Sequence, residues 1–180
     1  MQPRGITIQS NVAFVLLLAA CGGSSGGSGG GDDGGSDAPV DAPVDSIAGA
    51  TVSGSVRRTA QPGSGGDARG PIYIAIFDQD PIINRDTAQV IARTVIDNAD
   101  LSAPNATVSY TLDAVPVRAM KYYFVGFLDD NANVDPMNAA NAGPDKGDLV
   151  SLDGLASPTL TLATPTAATF DVNLNTMLPF

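Results

Sequence analysis

The chain has 180 residues, room for one ordinary domain with extensions, and nineteen Asp against two Lys and seven Arg, with no Glu and no His, set its formal charge at −10. That balance excludes nucleic acid as a partner, because holding phosphates needs a basic surface that releases counterions. It fits a self-repelling surface or the binding of cations. Trp is absent, and the single cysteine, Cys21, cannot close an internal disulfide, so a folded part must rest on its apolar core.

Residues 1–20 read as a signal peptide: Arg4 and the free amine supply positive charge, and Val12 to Ala20 form an apolar run of nine residues. A bilayer-spanning helix needs ~20 such residues, so this run is an address and not an anchor. The run closes on Leu18-Ala19-Ala20-Cys21, which resembles the lipobox of bacterial lipoproteins. The resemblance implies that Cys21 receives a diacylglyceryl thioether and becomes the new N-terminus, leaving an extracytoplasmic protein anchored to the membrane by lipid. Each buried methylene contributes ~0.8 kcal/mol, so several long chains anchor stably. Gly22 follows the cysteine where Asp would retain it, which favours the outer membrane.

Residues 21–50 read as the lipidated cysteine and a disordered tether. GGSSGGSGGGDDGGSD holds nine glycines in sixteen residues and no large apolar side chain, so nothing offsets the entropy of ordering it. DAPVDAPVD follows, its prolines stiffening the chain and its aspartates repelling one another. As a flexible coil the tether reaches roughly 30 Å.

From 51 to 180 the hydrophobic period is two, and the predicted fold is all-β. Val52-Ser-Gly-Ser-Val56 is a strand whose Gly54 marks a bulge or a close backbone approach. Pro71–Asp78 and Lys121–Asp129 are apolar on both faces, as in central strands covered on one side and partly on the other. Gln89–Ile96 fits a strand or a short helix, and its β-branched residues favour the strand. Thr107–Leu112 turns Val108, Tyr110 and Leu112 inward, and Thr169–Leu174 does the same with Phe170, Val172 and Leu174. Such short strands, separated by Gly, Pro, Asn and Asp clusters, predict an antiparallel β-sandwich, immunoglobulin-like or transthyretin-like. A domain of this size buries nearly ~70% of its unfolded surface and can stand without disulfides.

The order VSGSV, GPIYIAIFD, VSYTLDAVP, KYYFVGFLDDNANVDP, GDLV resembles the transthyretin-like or carboxypeptidase-regulatory-like modules of secreted bacterial proteins, over roughly residues 51–150. Where such modules carry a Pro-Gly turn before the tyrosines, this chain has Pro116-Val-Arg-Ala-Met120, which leaves the turn type there open. The resemblance implies a role in stabilising, spacing or binding, and no catalysis.

FLDDNANVDP places Asp129, Asn131, Asn133 and Asp135 at every second position, and AGPDKGD brings Asp145 and Asp148 back toward the same end of the sheet. Two readings are open. Calcium wants six to eight oxygens, which short Asp and Asn side chains supply, and it would relieve the repulsion among Asp129, Asp130, Asp135, Asp145 and Asp148. Equally, Asx side chains bond their own backbone in turns without any metal. An EF-hand is excluded, since Val134 stands where that loop needs glycine and Ala140 where it needs its bidentate Glu.

Catalytic residues are not expected. Without His, Glu or a free thiol, the pairs Asp78/Asp80 and Asp129/Asp130 are the remaining acid–base candidates, and neighbours on a strand point to opposite faces. A glycan- or ligand-binding surface without metal is the alternative, resting on aromatics such as Tyr122 and Tyr123, only one of which can face the core. The ending FDVNLNTMLPF resembles the last strand of outer-membrane barrels, but Pro179 interrupts pairing, so Met177–Phe180 is expected to cap the sandwich or dock to a partner. The reading is a lipid-anchored envelope module, structural or binding, with calcium at the Asp129 loop as its candidate stabiliser and the metal-free turn as the alternative there, and with an envelope protein or a glycan as partner.

Overall fold

The computed structural model describes residues 49–138 and 141–179, so the signal segment, Cys21, the tether, Ala140 and Phe180 lie outside the described residues. Among the described residues ten strands follow in chain order: β1 (Ala50–Arg58), β2 (Arg69–Phe77), β3 (Val90–Asp100), β4 (Thr107–Val115), β5 (Arg118–Leu128), β6 (Leu149–Val150), β7 (Thr159–Leu162), β8 (Ala168–Thr169), β9 (Val172–Leu174) and β10 (Thr176–Met177). They form two packed sheets, and the described residues hold no helix. Gln89–Ile96 is therefore a strand, as its β-branched content indicates.

The four-stranded sheet has β1 between β4 and the pair β8/β9; the six-stranded sheet runs β10-β6-β5-β2-β3, with β7 also on β5. Between them lie Val52 and Val56 of β1, Tyr110 and Leu112 of β4, Ile72, Ile74 and Ile76 of β2, and Tyr122, Phe124 and Leu128 of β5. Tyr122 faces this core and donates its hydroxyl to the Pro116 carbonyl at 2.6 Å, whereas Tyr123 turns to the outer face. Phe124 meets the ring of Phe170 at 4.1 Å, stacked, and that of Tyr110 at 6.4 Å, edge-on.

Most pairings are antiparallel, but β8 and β9 lie parallel to β1. Thr169–Leu174, expected as one strand, is broken at Phe170 and Asp171. Gly54 explains the break. A Cβ there would stand 2.0 Å from the Phe170 carbonyl oxygen, so only glycine lets this carbonyl cross β1 and accept the Tyr110 hydroxyl at 2.6 Å. Asp171 then replaces a main-chain acceptor, taking both N–H and Oγ–H of Ser55 at 2.9 Å. The close approach read from Gly54 is present.

The two sheets differ on their outer faces. Thr51, Ser53, Ser55 and Arg57 of β1 and Thr107, Ser109, Thr111 and Asp113 of β4 make one polar, wetted surface. The six-stranded sheet instead carries Tyr73, Phe77, Val125 and Phe127 outward. The chain enters at Ala50, opposite Val115, next to the corner leading into β5. Leu128 and the acidic loop stand at the far end of β5, where the C-terminal strand β10 pairs with β6 and Leu178 N–H donates to the Asp148 carbonyl at 2.9 Å. Met177 and Leu178 thus cap the sandwich rim.

Candidate functional site

Two features stand out: a groove on the outer face of the six-stranded sheet and the acidic rim. The groove follows from strand register. Tyr73 lies opposite Val95 on β3 and Phe127 on β5, and Ala75 opposite Arg93 and Val125. Ala75 makes the low floor of this row, since its neighbours are larger. The Tyr73 and Phe127 rings stack at 4.9 Å, and Pro136 and Met137, from the loop after β5, form a wall. The hollow measures about 390 Å³. Its rim is open: Val95 is 44% and Met137 77% exposed. Burial, then the nearby carboxylates of Asp129, Asp97 and Asp135, raises the Tyr73 hydroxyl above its ordinary value. It stays a neutral donor at the groove's edge.

The carboxylates of Asp78 and Asp80 lie outside this groove's lining. Asp78 takes the Gln89 N–H at 2.7 Å, folding residues 78–89 back on themselves. Asp80, buried, accepts from Ile82 N–H, Ser157 N–H and Ser157 Oγ–H at 3.0, 3.2 and 3.0 Å. Each carboxylate of this candidate pair closes a loop, and Asp80 satisfies itself on three donors.

At the rim, Asp129 and Asp148 are 1% and 0% exposed. Asp129 accepts the N–H groups of Asn133 and Val134 at 3.2 and 3.0 Å, so the loop winds around it. Asp148 accepts from Asp130 N–H and Asp145 N–H at 3.2 and 2.9 Å. Burial pushes its carboxyl up to about 7, helped by Asp129 and Asp145 and opposed by those two N–H bonds. Asp145 gathers the Asn131 and Asn133 amides at 3.0 and 2.6 Å. Five of the six predicted residues thus share one network. Asp135 stands apart from it, accepting the Met137 N–H at 3.0 Å and so shaping the groove wall.

As they stand, no three carboxylates among the described residues are placed to hold a metal ion. The oxygens of Asp129, Asp145 and Asp148 each take one N–H and keep a second lone pair. One feature escaped the sequence. Asp130 accepts the Asp67 and Arg69 N–H groups, both at 3.2 Å, through Oδ1, while its Oδ2 is buried with no hydrogen-bond partner among the described residues. Gly66 makes this possible, since a Cβ there would sit 1.9 Å from Oδ2. The turn-rich PGSGGD hints at a loop but not at its partner. Cys21, the lipidation candidate, lies outside the described residues.

Compared with known protein families, with curated proteins and with solved structures, the chain matches none.

Proposed function

We propose that the chain is a lipid-anchored module of the bacterial cell envelope, extracytoplasmic and held by Cys21, whose transthyretin-like sandwich binds an apolar or aromatic group in the outer-face groove. One observation carries this reading: the six-stranded sheet exposes an apolar hollow walled by Tyr73, Phe127 and Met137, while the other sheet's outer face is hydroxylic and charged. Small-molecule sites are concave and mostly apolar, and isolated exposed apolar residues do not form one. The chain enters the domain at Ala50, at the end of the sandwich away from the acidic rim. The role is binding or structural, and no catalytic group is assigned.

A test uses the full chain and the apolar dye anilinonaphthalene sulfonate. Saturable fluorescence enhancement is expected, lost in Ala75→Arg, which fills the groove floor, and kept in Thr111→Arg on the opposite face. Equal binding by both variants overturns the groove. The anchor is read separately: fatty-acid labelling of the expressed protein is expected, and its persistence in Cys21→Ser sinks that part alone.

A second reading, calcium at the rim, is favoured by the buried Asp129 and Asp148 and by the buried Asp130 Oδ2, which lies against Gly66 with no hydrogen-bond partner among the described residues.

A further inference from the structure

Strand β3 is an edge. It spans Val90–Asp100 and pairs only with β2 among the described residues, so one side of an eleven-residue backbone ladder is open. Open edges invite a further strand, and proteins guard them with charge. The charges on β3 are of opposite sign. Arg93 and Asp97 are both exposed, on the same outer face as Val95, and the side chain of neither makes a hydrogen bond or ion pair among the described residues.

We propose that two copies of this chain pair through β3, antiparallel about a two-fold axis at Val95. Facing residues in such a pair have numbers that sum to a constant, and 93 and 97 place the centre at Val95. Arg93 of each copy then meets Asp97 of the other, and Val95 meets its own counterpart. A centre at Arg93 or at Asp97 would set like charges against each other, and centres at Thr94 or Ile96 would set each charge against a neutral residue, so among these only the Val95 centre pairs opposite charges. Guard residues of a single sign would repel a second copy in every register.

Two further observations fit. Val95 is 44% exposed and ends the row Val95–Tyr73–Phe127, so the axis joins the two outer-face rows into one apolar band. The antiparallel sense also sets the two acidic rims at opposite ends of the pair, which matters for chains carrying −10 each. The positive-φ Asn98 and the β-bulge beside it shift the register of β3 after Asp97, before pairing resumes at Ala99 and Asp100, so the regular stretch available to a second copy is the segment around Val95. Such an interface is isologous and closed, so it makes a dimer and not a fibre.

The test is charge reversal, read by sedimentation velocity on the full chain carrying Cys21→Ser, so that lipid plays no part. The unreversed chain is expected to sediment as a dimer at high concentration. Arg93→Asp and Asp97→Arg should each weaken association by about tenfold or more, since either change puts like charges together twice. Mixed in equal amounts, the two variants should recover the dimer, because both cross-strand pairs are then opposite in sign. Recovery also shows that both variants fold. A monomer at every concentration overturns the proposal and leaves β3 to an unlike strand. A dimer indifferent to either reversal, or a mixture that stays monomeric, overturns it as well.

Discussion

Asp80 and Ser157, 77 positions apart, are joined by two hydrogen bonds in a buried setting: the serine N–H and hydroxyl both donate to the one carboxylate. This contact ties the loop after β2 to the segment before β7, two strands that both pair with β5. The two loops it pins carry exposed apolar tips, Ile83 and Leu155.

Replacing Asp80 should therefore be costly. Asp80→Ala leaves Ile82 N–H and Ser157 N–H without their acceptor, and hydrogen bonds to a charged group are each worth about 1.5–3 kcal/mol. A loss of about 2–3 kcal/mol in urea unfolding is expected, with Ser157→Ala losing less because its N–H keeps the partner. Equal losses in the two variants would contradict this division.

Gly54→Ala should loosen β8 and β9 from β1. The added methyl would meet the Phe170 carbonyl oxygen at 2.0 Å, and backbone cannot swing aside as a side chain can. Overpacking costs about 1–3 kcal/mol, so a fall of that size is expected in thermal unfolding, together with faster amide exchange at Phe170. Wild-type stability in the alanine variant would show that the two strands shift freely.

Acid should weaken the fold through Asp100. The Ser102 hydroxyl and N–H, then Arg69, hold its carboxyl down at about 2, and Asp171 is lowered likewise by the Ser55 N–H and hydroxyl. A depressed folded pKa gives stability that is present above the unfolded value of ~3.9 and is lost as pH falls through the folded one. Stability should therefore drop between pH ~4 and ~2, less steeply in Asp100→Asn. Parallel profiles for variant and wild type over that window would remove Asp100 from the account.

Calcium should raise the melting temperature where matched sodium chloride does not. Binding tenfold above Kd adds roughly 1.4 kcal/mol, or about 3–5 °C for a domain of this size. Asp145→Asn, which removes charge from the group that gathers Asn131 and Asn133, should abolish the difference. Identical melts in the two salts would leave the rim as a hydrogen-bonded turn.

Much of the fold is legible in the residues. Ile72, Ile74 and Ile76 alternate with Tyr73, Ala75 and Phe77, and this both-faced run is what a central strand with a partly covered outer face requires. Val108, Tyr110 and Leu112 alternate with hydroxylic residues, which marks the sheet facing water. The crowding of Asp and Asn after Leu128 likewise marks a rim. Less legible is which oxygens meet which donors there. Asp129 and Asp135 share a spacing in the sequence, yet one winds the loop around itself and the other turns to Met137.

Period and composition alone marked most strands and the face each turns to the core, because alternation is a local property of the backbone and needs no partner to express it; the break at Phe170 and Asp171 was not marked. Pairing was decided only in three dimensions: the parallel course of β8 and β9 along β1, the Gly66 backbone against Asp130, and the groove between Met137 and Val95. Each depends on segments far apart in the chain arriving at one place, and the free energy of that meeting belongs to neither segment by itself.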